Sequence, residues 1–462
     1  MSMLIKNGSV VLPDGVAHAD ILVEGERIRA IGPSLDVAAE TVIDAAGKLV
    51  IPGGVDVHTH LDAPVGGTVS SDDFETGTRA AAFGGTTCIV DFATQTMGGS
   101  LLAAYHQWRA KATRAVLDYG LHMIVVDVSG GQLDEIDVLV REGVTSLKLF
   151  TAYPGSLMVD DATMLQVMLR AGSSGALVAV HAENGGVIDY LVKKAVSEGR
   201  TAPIEHALTR PAIAEAEAIH RVIAIARIAG VPVYIVHVSS KEGLDEIARA
   251  QQAGVNVSGE TCPQYLFLTK EDLARPGFEG AKFVLTPPLR DLGDQEALWK
   301  GLEGNQLQVV STDHCPFFFE PQKKAGVRDF TKIPNGGPGI ENRLELLYHF
   351  GVGRGRLSVE RWVELVATNP AKLFGLYPKK GALQVGCDAD IVVWNPGAAH
   401  TISSGTHHMR VDYSMYEGMK VTGKAETVVS RGEIIVDRGT WNGTPGRGRY
   451  VGRSRCAGAL NP

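Results

Sequence analysis

Six side chains that can hold a divalent ion, or be converted into one that can, stand at or near the ends of short apolar runs. They are His58 and His60 in VDVHTH, Lys148 in SLKLF, His181 in LVAVH, His237 in VYIVHV and Asp313 in LQVVSTD. His58 and His60 are two apart, so on a strand they face the same way and can grip one ion between them. An HxH pair alone is weak evidence, because a core or helix-capping histidine looks the same in sequence. His181 and His237 each follow an apolar strand, where a buried imidazole needs a partner. Asp313 closes the last run, where an unpaired carboxylate is costly and calls for a metal or a cation. Taken together, four histidines and one carboxylate form a set that can hold two divalent ions, which share and activate a hydroxide while polarising the bond it attacks. The expected chemistry is hydrolysis. Lys148 is the odd member: its plain reading is a buried ion pair with a carboxylate. Reaction with carbon dioxide would instead make it an anionic carbamate able to bridge both ions.

The elements that must position these groups follow from the hydrophobic pattern. From about Pro52 onward, apolar runs alternate with amphipathic stretches, as buried parallel strands with crossover helices do. Eight runs are legible, at 55–60, 86–92, 121–128, 146–150, 177–181, 233–238, 255–260 and 307–313. Segments such as DFETGTRAAAFGG and AIAEAEAIHRVIAIARIAG carry apolar residues at spacings of three and four, which suits helices packed outside a barrel. The pattern predicts an α/β fold, a (β/α)8 barrel of the TIM type, with the active site at the C-terminal ends of its strands. Residues 5–50 read instead as short strands with turns at Asn7-Gly8, Asp14-Gly15 and Gly25-Glu26, and β patterning returns after Phe374. Each end is too small to hold a core alone, so the two are expected to meet in one composite β-sandwich. The expected division is 1–51 for the first part of the sandwich, 52–375 for the barrel, and 376–462 for the rest of the sandwich plus a tail. That tail, RGRYVGRSRCAGALNP, is basic and weakly patterned, and a neighbouring subunit is one place for it to lie.

Composition narrows the classes of function. The chain has 462 residues with 45% hydrophobic and 21% charged, enough for a large core. A formal net charge of -8 with no dense Lys/Arg run argues against a nucleic-acid partner. Cys88, Cys262, Cys315, Cys387 and Cys456 are odd in number and never form a CxxC pair, which fits reduced thiols. The start lacks the pattern of a signal peptide, and no run approaches a membrane span of roughly 18 apolar residues, so the expected compartment is the cytoplasm.

The motifs PGGVDVHTHLD, GGTVSSDDFETGT, SLKLFTAY, HAEN, HVS, GETCPQYLFLT, TPPLR, STDHCPF and IPNGGPGIE run almost from end to end. With them the chain resembles the dihydropyrimidinase and D-hydantoinase group of the amidohydrolase superfamily. The resemblance implies two Zn2+ (or other divalent metals) bridged by N6-carboxylated Lys148 and a hydroxide. It places His58, His60 and Asp313 on the first metal and His181 and His237 on the second. It implies a small cyclic amide as substrate, a dihydropyrimidine or a 5-substituted hydantoin, opened to an N-carbamoyl amino acid. Asp313 is then the proton carrier, and Tyr153 hydrogen-bonds the developing oxyanion. Thr286, where the group often has serine, and Asn335 hold the ring through backbone groups. Ala63 and Val65 are smaller than the apolar residues usual in that loop, and with Phe150 and Leu157 they are expected to line a roomy pocket for the ring substituent. The resemblance further implies a homo-oligomer, a tetramer or dimer. An allantoinase-like ureide hydrolase is the closest alternative. Dihydroorotase is disfavoured, because Leu61-Asp62-Ala63-Pro64 puts an acid where an anionic substrate would need a cation. A metal-free, dihydropyrimidinase-related scaffold is disfavoured because every ligand is retained.

Overall fold

The computed structural model describes residues 2–455; Cys456 and the end of the tail lie outside the described residues. Eight parallel strands form the barrel: β1 Gly54–Thr59, β2 Thr86–Thr94, β3 Asp118–Ile124, β4 Ser146–Phe150, β5 Leu177–His181, β6 Val233–Ile235, β7 Val257–Thr261 and β8 Val309–Val310. They lie side by side in chain order, the arrangement of a (β/α)8 barrel. Two of the expected runs match their strands end to end, 146–150 and 177–181. The run at 121–128 is displaced: β3 begins at Asp118 and stops at Ile124. Those at 233–238 and 307–313 are cut short at Ile235 and Val310. The physical reason is backbone reversal, since His237 and Asp313 adopt φ of 37° and 51°, outside the extended region.

The barrel is closed by polar groups buried between its first and last strands. Arg343, 0% exposed, donates through Nη1 to the carbonyls of Val55 at 3.0 Å and Val310 at 2.9 Å. Asp56 accepts from Thr312 Oγ1 at 2.7 Å and from the backbone N–H of His58 at 3.2 Å. A backbone bond from His60 N–H to His314 O at 2.9 Å completes the seam. The outer helices form where the periodicity places them. Helix Phe74–Phe83 starts at a capping box in which Asp73 accepts from the N–H of Thr76, offsetting orphan donors of the first turn. Helix Ala212–Ala229 ends at Gly230, whose φ of 68° suits a residue without a Cβ.

Both chain ends meet in a nine-stranded sheet. Strand Leu49–Pro52 pairs in parallel with Ser2–Leu12 and antiparallel with Ile391–Thr401. One apolar core joins Ile5, Val10, Ile21 and Val50 from the first end to Leu383, Ile391, Val393 and Val429 from the last. The fold is therefore a (β/α)8 barrel with a composite β-sandwich. Asn7-Gly8 is not a turn: it lies inside strand Ser2–Leu12, at a shift of register against the neighbouring strand, with Asn7 at φ 63° and its N–H held by Asp20 Oδ1 at 2.9 Å. The described part of the tail lies along its own barrel floor. Arg449 O accepts from Tyr119 N–H at 2.9 Å, Val451 N–H donates to Tyr119 O at 2.8 Å, and Arg453 Nη2 donates to Ser146 Oγ at 2.8 Å. Its arginines are engaged as well: Arg447 with Glu433, Arg449 with Glu26, and Arg453 with Leu121 O and with Ser146 Oγ at the start of β4. Among the described residues, no helix is long and apolar enough to cross a membrane, and Cys88, Cys262, Cys315 and Cys387 are free thiols.

One buried cation ties the barrel floor to the composite domain. Lys380, 1% exposed, sits 2.7 Å from Asp118, 2.9 Å from Asp388 and 2.7 Å from Asp390. Burial works against its charge, but the aspartates prevail and raise its pKa above the ordinary lysine value. Removing it takes the ammonium from three interior carboxylates, of which Asp118 keeps Arg431 at 3.0 Å. Lys380→Met should cost roughly 3–5 kcal/mol of stability, read by denaturant unfolding; a loss within experimental error would show that the cluster does not secure the two domains.

Candidate active site

The C-terminal ends of the strands open into a cavity of about 460 Å³, a volume suited to a small ligand. All the residues singled out in the sequence line it: His58, His60, Lys148, His181, His237 and Asp313, together with Tyr153, Thr286, Asn335, Ala63, Val65, Phe150 and Leu157. Asp62 does not. It turns away toward Lys111, 3.8 Å distant, and so gives no electrostatic argument against an anionic substrate.

The ligand-type groups fall into two clusters. His58 Nε2 and His60 Nε2 lie 3.3 and 3.1 Å from Asp313 Oδ1. Ligand atoms of these three residues all lie within 4.8 Å of one another, a spacing that one divalent ion can satisfy. In the second cluster, His181 Nδ1 and His237 Nε2 face each other at 2.9 Å. His181 uses its other nitrogen, Nε2, to donate to Glu183 at 2.8 Å, which leaves the Nδ1 lone pair directed at the cavity. His237 Nδ1 is buried with no partner. Burial drives the pKa of His58 and His237 well below the ordinary imidazole value, so both are neutral, the form that ligates. Lys148 lies between the clusters in the sense of its strand, 1% exposed, with Nζ 5.2 Å from the Phe92 ring and 5.1 Å from Phe150. The carboxylate partner expected on the plain reading is missing: among the described residues none forms an ion pair with it. Burial brings its ammonium down to about 8, which increases the share of free amine. The donor set therefore fits a metal centre.

Three site residues sit in the left-handed region: Tyr153 at φ 66°, His237 at 37° and Asp313 at 51°. Non-glycine residues seldom adopt it, and such strain gathers at working sites. At Tyr153 the turn is locked by its own carbonyl, which accepts from the N–H groups of Ser156, Leu157 and Met158. The phenol is buried beside Thr286 and Asn335, and burial pushes it up to about 12. It is thus a hydrogen-bond donor at neutral pH.

Sequence reasoning missed the acids that orient the histidines. Glu260, at 0% exposure, shares a hydrogen bond with His58 Nδ1 and accepts from Tyr234 Oη at 2.8 Å and from the N–H of His237 at 3.2 Å. One carboxylate thereby fixes a residue from each cluster. Burial raises it to about 7. Glu183 does the same for His181; burial opposes its ionisation, but the His181 hydrogen bond holds its carboxyl below the usual range. The available signal was the acid ending the 255–260 run and the one in HAEN, each at the mouth end of a strand.

A family model described as "Amidohydrolase family" matches residues 49–435. The chain belongs to the amidohydrolase family. Within it, the chain is 53% identical over 459 residues to a D-hydantoinase of Streptomyces coelicolor, with 98% of each chain covered. It is 50% identical over 462 residues to a D-hydantoinase of Geobacillus stearothermophilus, covering 100% of this chain and 98% of that one. Its structure superposes on the crystal structure of a dihydropyrimidinase from Brevibacillus agri with a TM-score of 0.98 at 50% identity, over 100% of both chains. This places it in the dihydropyrimidinase and D-hydantoinase group of amidohydrolases.

If Glu260 orients ligands in this amidohydrolase, Glu260→Gln should weaken metal affinity about 10–100-fold. Chelator competition followed by metal analysis measures it. An unaltered affinity in a folded variant would assign Glu260 to packing alone.

Proposed function

We propose that this chain is a binuclear-metal cyclic amidohydrolase that opens the ring amide of 5,6-dihydrouracil and 5-substituted hydantoins to N-carbamoyl amino acids. The observation that carries the reading is the single cavity in which six ligand-type side chains meet a phenol donor and two ring-holding backbone segments. In this reading His58, His60 and Asp313 would hold one Zn2+, His181 and His237 would hold the other, and Lys148, as its carbamate, would supply an anionic ligand. When bound, the metal pair supplies the acidity that makes water nucleophilic at neutral pH and polarises the scissile carbonyl.

The remaining work falls to the protein's own groups. Backbone groups of Thr286 and Asn335 bind the ring NH and carbonyl functions and set the scissile bond over the cluster. Asp313 Oδ accepts the proton of the attacking water and returns it to the leaving nitrogen. One C–O bond forms and one ring C–N bond breaks, leaving a carboxylate at one end of the product and a ureido group at the other. Burial opposes the charge on Asp313, but His58 and His60 hold its carboxyl below the usual range, so it is ionised when the cycle begins. The Tyr153 hydroxyl donates to the oxyanion as charge develops on it. Ala63, Val65, Phe150 and Leu157 form the apolar wall that faces the ring substituent, and the small first two leave room for a bulky one.

Zinc-loaded protein is expected to hydrolyse dihydrouracil and 5-substituted hydantoins, with benzylhydantoin at least as good as hydantoin. Lys148→Ala should reduce both activities to background. Inactivity on both rings with two metals bound would sink the assignment; preferential opening of allantoin would favour the ureide-hydrolase alternative. A strong preference for unsubstituted hydantoin would refute the roomy pocket alone. Assembly as a homo-oligomer is part of the same proposal, and light scattering of a monomer at assay concentration would remove it.

A further inference from the structure

Two loops proposed to hold the ring, 284–287 and 334–336, have their backbone carbonyls turned inward onto one point, and that point is an ammonium. Lys323 is 0% exposed, and its Nζ donates to Val284 O at 2.9 Å, Pro334 O at 2.9 Å and Gly336 O at 2.7 Å. The Phe317 ring lies beside it, at 5.8 Å from Nζ to centroid. Among the described residues no carboxylate forms an ion pair with it. A buried lysine normally comes with an acid; this one is satisfied by backbone alone, with three N–H donors matched to three acceptors.

The arrangement has a consequence for the loops. Three carbonyl dipoles aimed at a common point repel one another, and the cation is what permits them to converge. Val284 O also accepts from Gly336 N–H at 3.1 Å, so the two loops are joined both directly and through the ammonium. Thr286 and Asn335 flank these carbonyls and line the cavity. The Lys323 backbone is itself tied down, its N–H donating to Phe318 O at 3.0 Å. Gln322, the preceding residue, reaches the cavity-mouth hairpin through Thr68 Oγ1 at 2.7 Å and Val69 O at 2.8 Å. Burial brings the Lys323 ammonium down to about 7, with Cys315 acting weakly in the opposite direction.

We propose that Lys323 is a positioning residue for ring recognition: its buried ammonium clamps loops 284–287 and 334–336 at the separation at which their backbone groups grip one cyclic amide. It touches neither the substrate nor the metal ligands. The inference rests on the reading of Thr286 and Asn335 as ring-holding.

The test is steady-state kinetics of Lys323→Met, zinc-loaded, on hydantoin and benzylhydantoin, with metal content measured alongside. The clamp predicts a KM raised roughly tenfold or more on both substrates by the same factor, a smaller change in kcat, and two metals retained. Equal loss on both rings marks a defect in ring binding, because damage to the substituent pocket would separate them. Wild-type KM in the variant overturns the proposal, as does a loss confined to kcat or accompanied by loss of metal. Should Lys323→Met fail to fold, Lys323→Gln keeps two donors and is measured in the same way. Wild-type KM there, or failure of both variants to fold, leaves Lys323 a structural residue only. If the wild-type enzyme itself binds neither ring, the ring-holding reading falls; if it binds both and the variant does too, only the clamp falls.

Discussion

Everything at the mouth of this barrel depends on the seam between its first and last strands. His58 belongs to the first strand and His60 comes directly after it, while Asp313 follows the last, so the three can converge only if the sheet closes on itself. Closure is made by Arg343, which donates to carbonyls of both strands, and by Asp56, which accepts from Thr312 and from the N–H of His58. Arg343 and Asp56 are both 0% exposed and lie 3.9 Å apart. Burial raises the Asp56 pKa against the pull of Arg343, so the carboxylate tolerates the interior only through its fixed donors. A buried network of this kind is costly to form and more costly to break. The seam therefore sets one register, and the register sets the site.

Around that frame the molecule separates stability from chemistry by depth. The strand starts carry the Lys380 cluster and the tail, where arginine and lysine are fully paired with acids and carbonyls. The strand ends carry imidazoles, of which burial keeps His58 and His237 neutral, acids that orient them, and one lysine that forms no ion pair among the described residues. The same residue types thus do opposite work at the two ends. At the floor, charge is matched and stays; at the mouth, Glu260, Glu183 and Asp313 are each engaged by histidines, and none of them forms an ion pair with Lys148.

Much of this was legible in the sequence. The eight apolar runs gave the barrel because buried parallel strands have an unmistakable composition, and the two β-rich ends gave the composite domain because neither could hold a core alone. That the six ligand-type residues would meet in one cavity was legible because strand ends are where a barrel places chemistry. Other features were hidden for physical reasons. Glu260 faces a histidine distant in sequence, Glu183 one only two residues away, and a single acid at a strand end does not say what it orients. Asp62 was misread because adjacency in sequence does not fix the direction of a side chain in a loop. Lys323 was invisible: its partners are main-chain carbonyls, which every residue possesses.

The positive backbone angles explain why strand limits and site residues part company. His58 and His60 reach the cavity by simple alternation at the end of the first strand and need no special conformation. His237 and Asp313 come after the last paired residues of their strands, at Ile235 and Val310. An extended continuation would carry the chain on past the mouth. A left-handed turn at each ends the strand and carries the side chain back over the opening, and the cost of that conformation is borne by surroundings that hold it: Glu260 on the N–H of His237, the seam beside Asp313 at Thr312 and His314. Tyr153, after β4, follows the same logic, its turn fixed by three N–H groups on its carbonyl. Strain is thus located where reach is required, and the rigid barrel is what makes it tolerable.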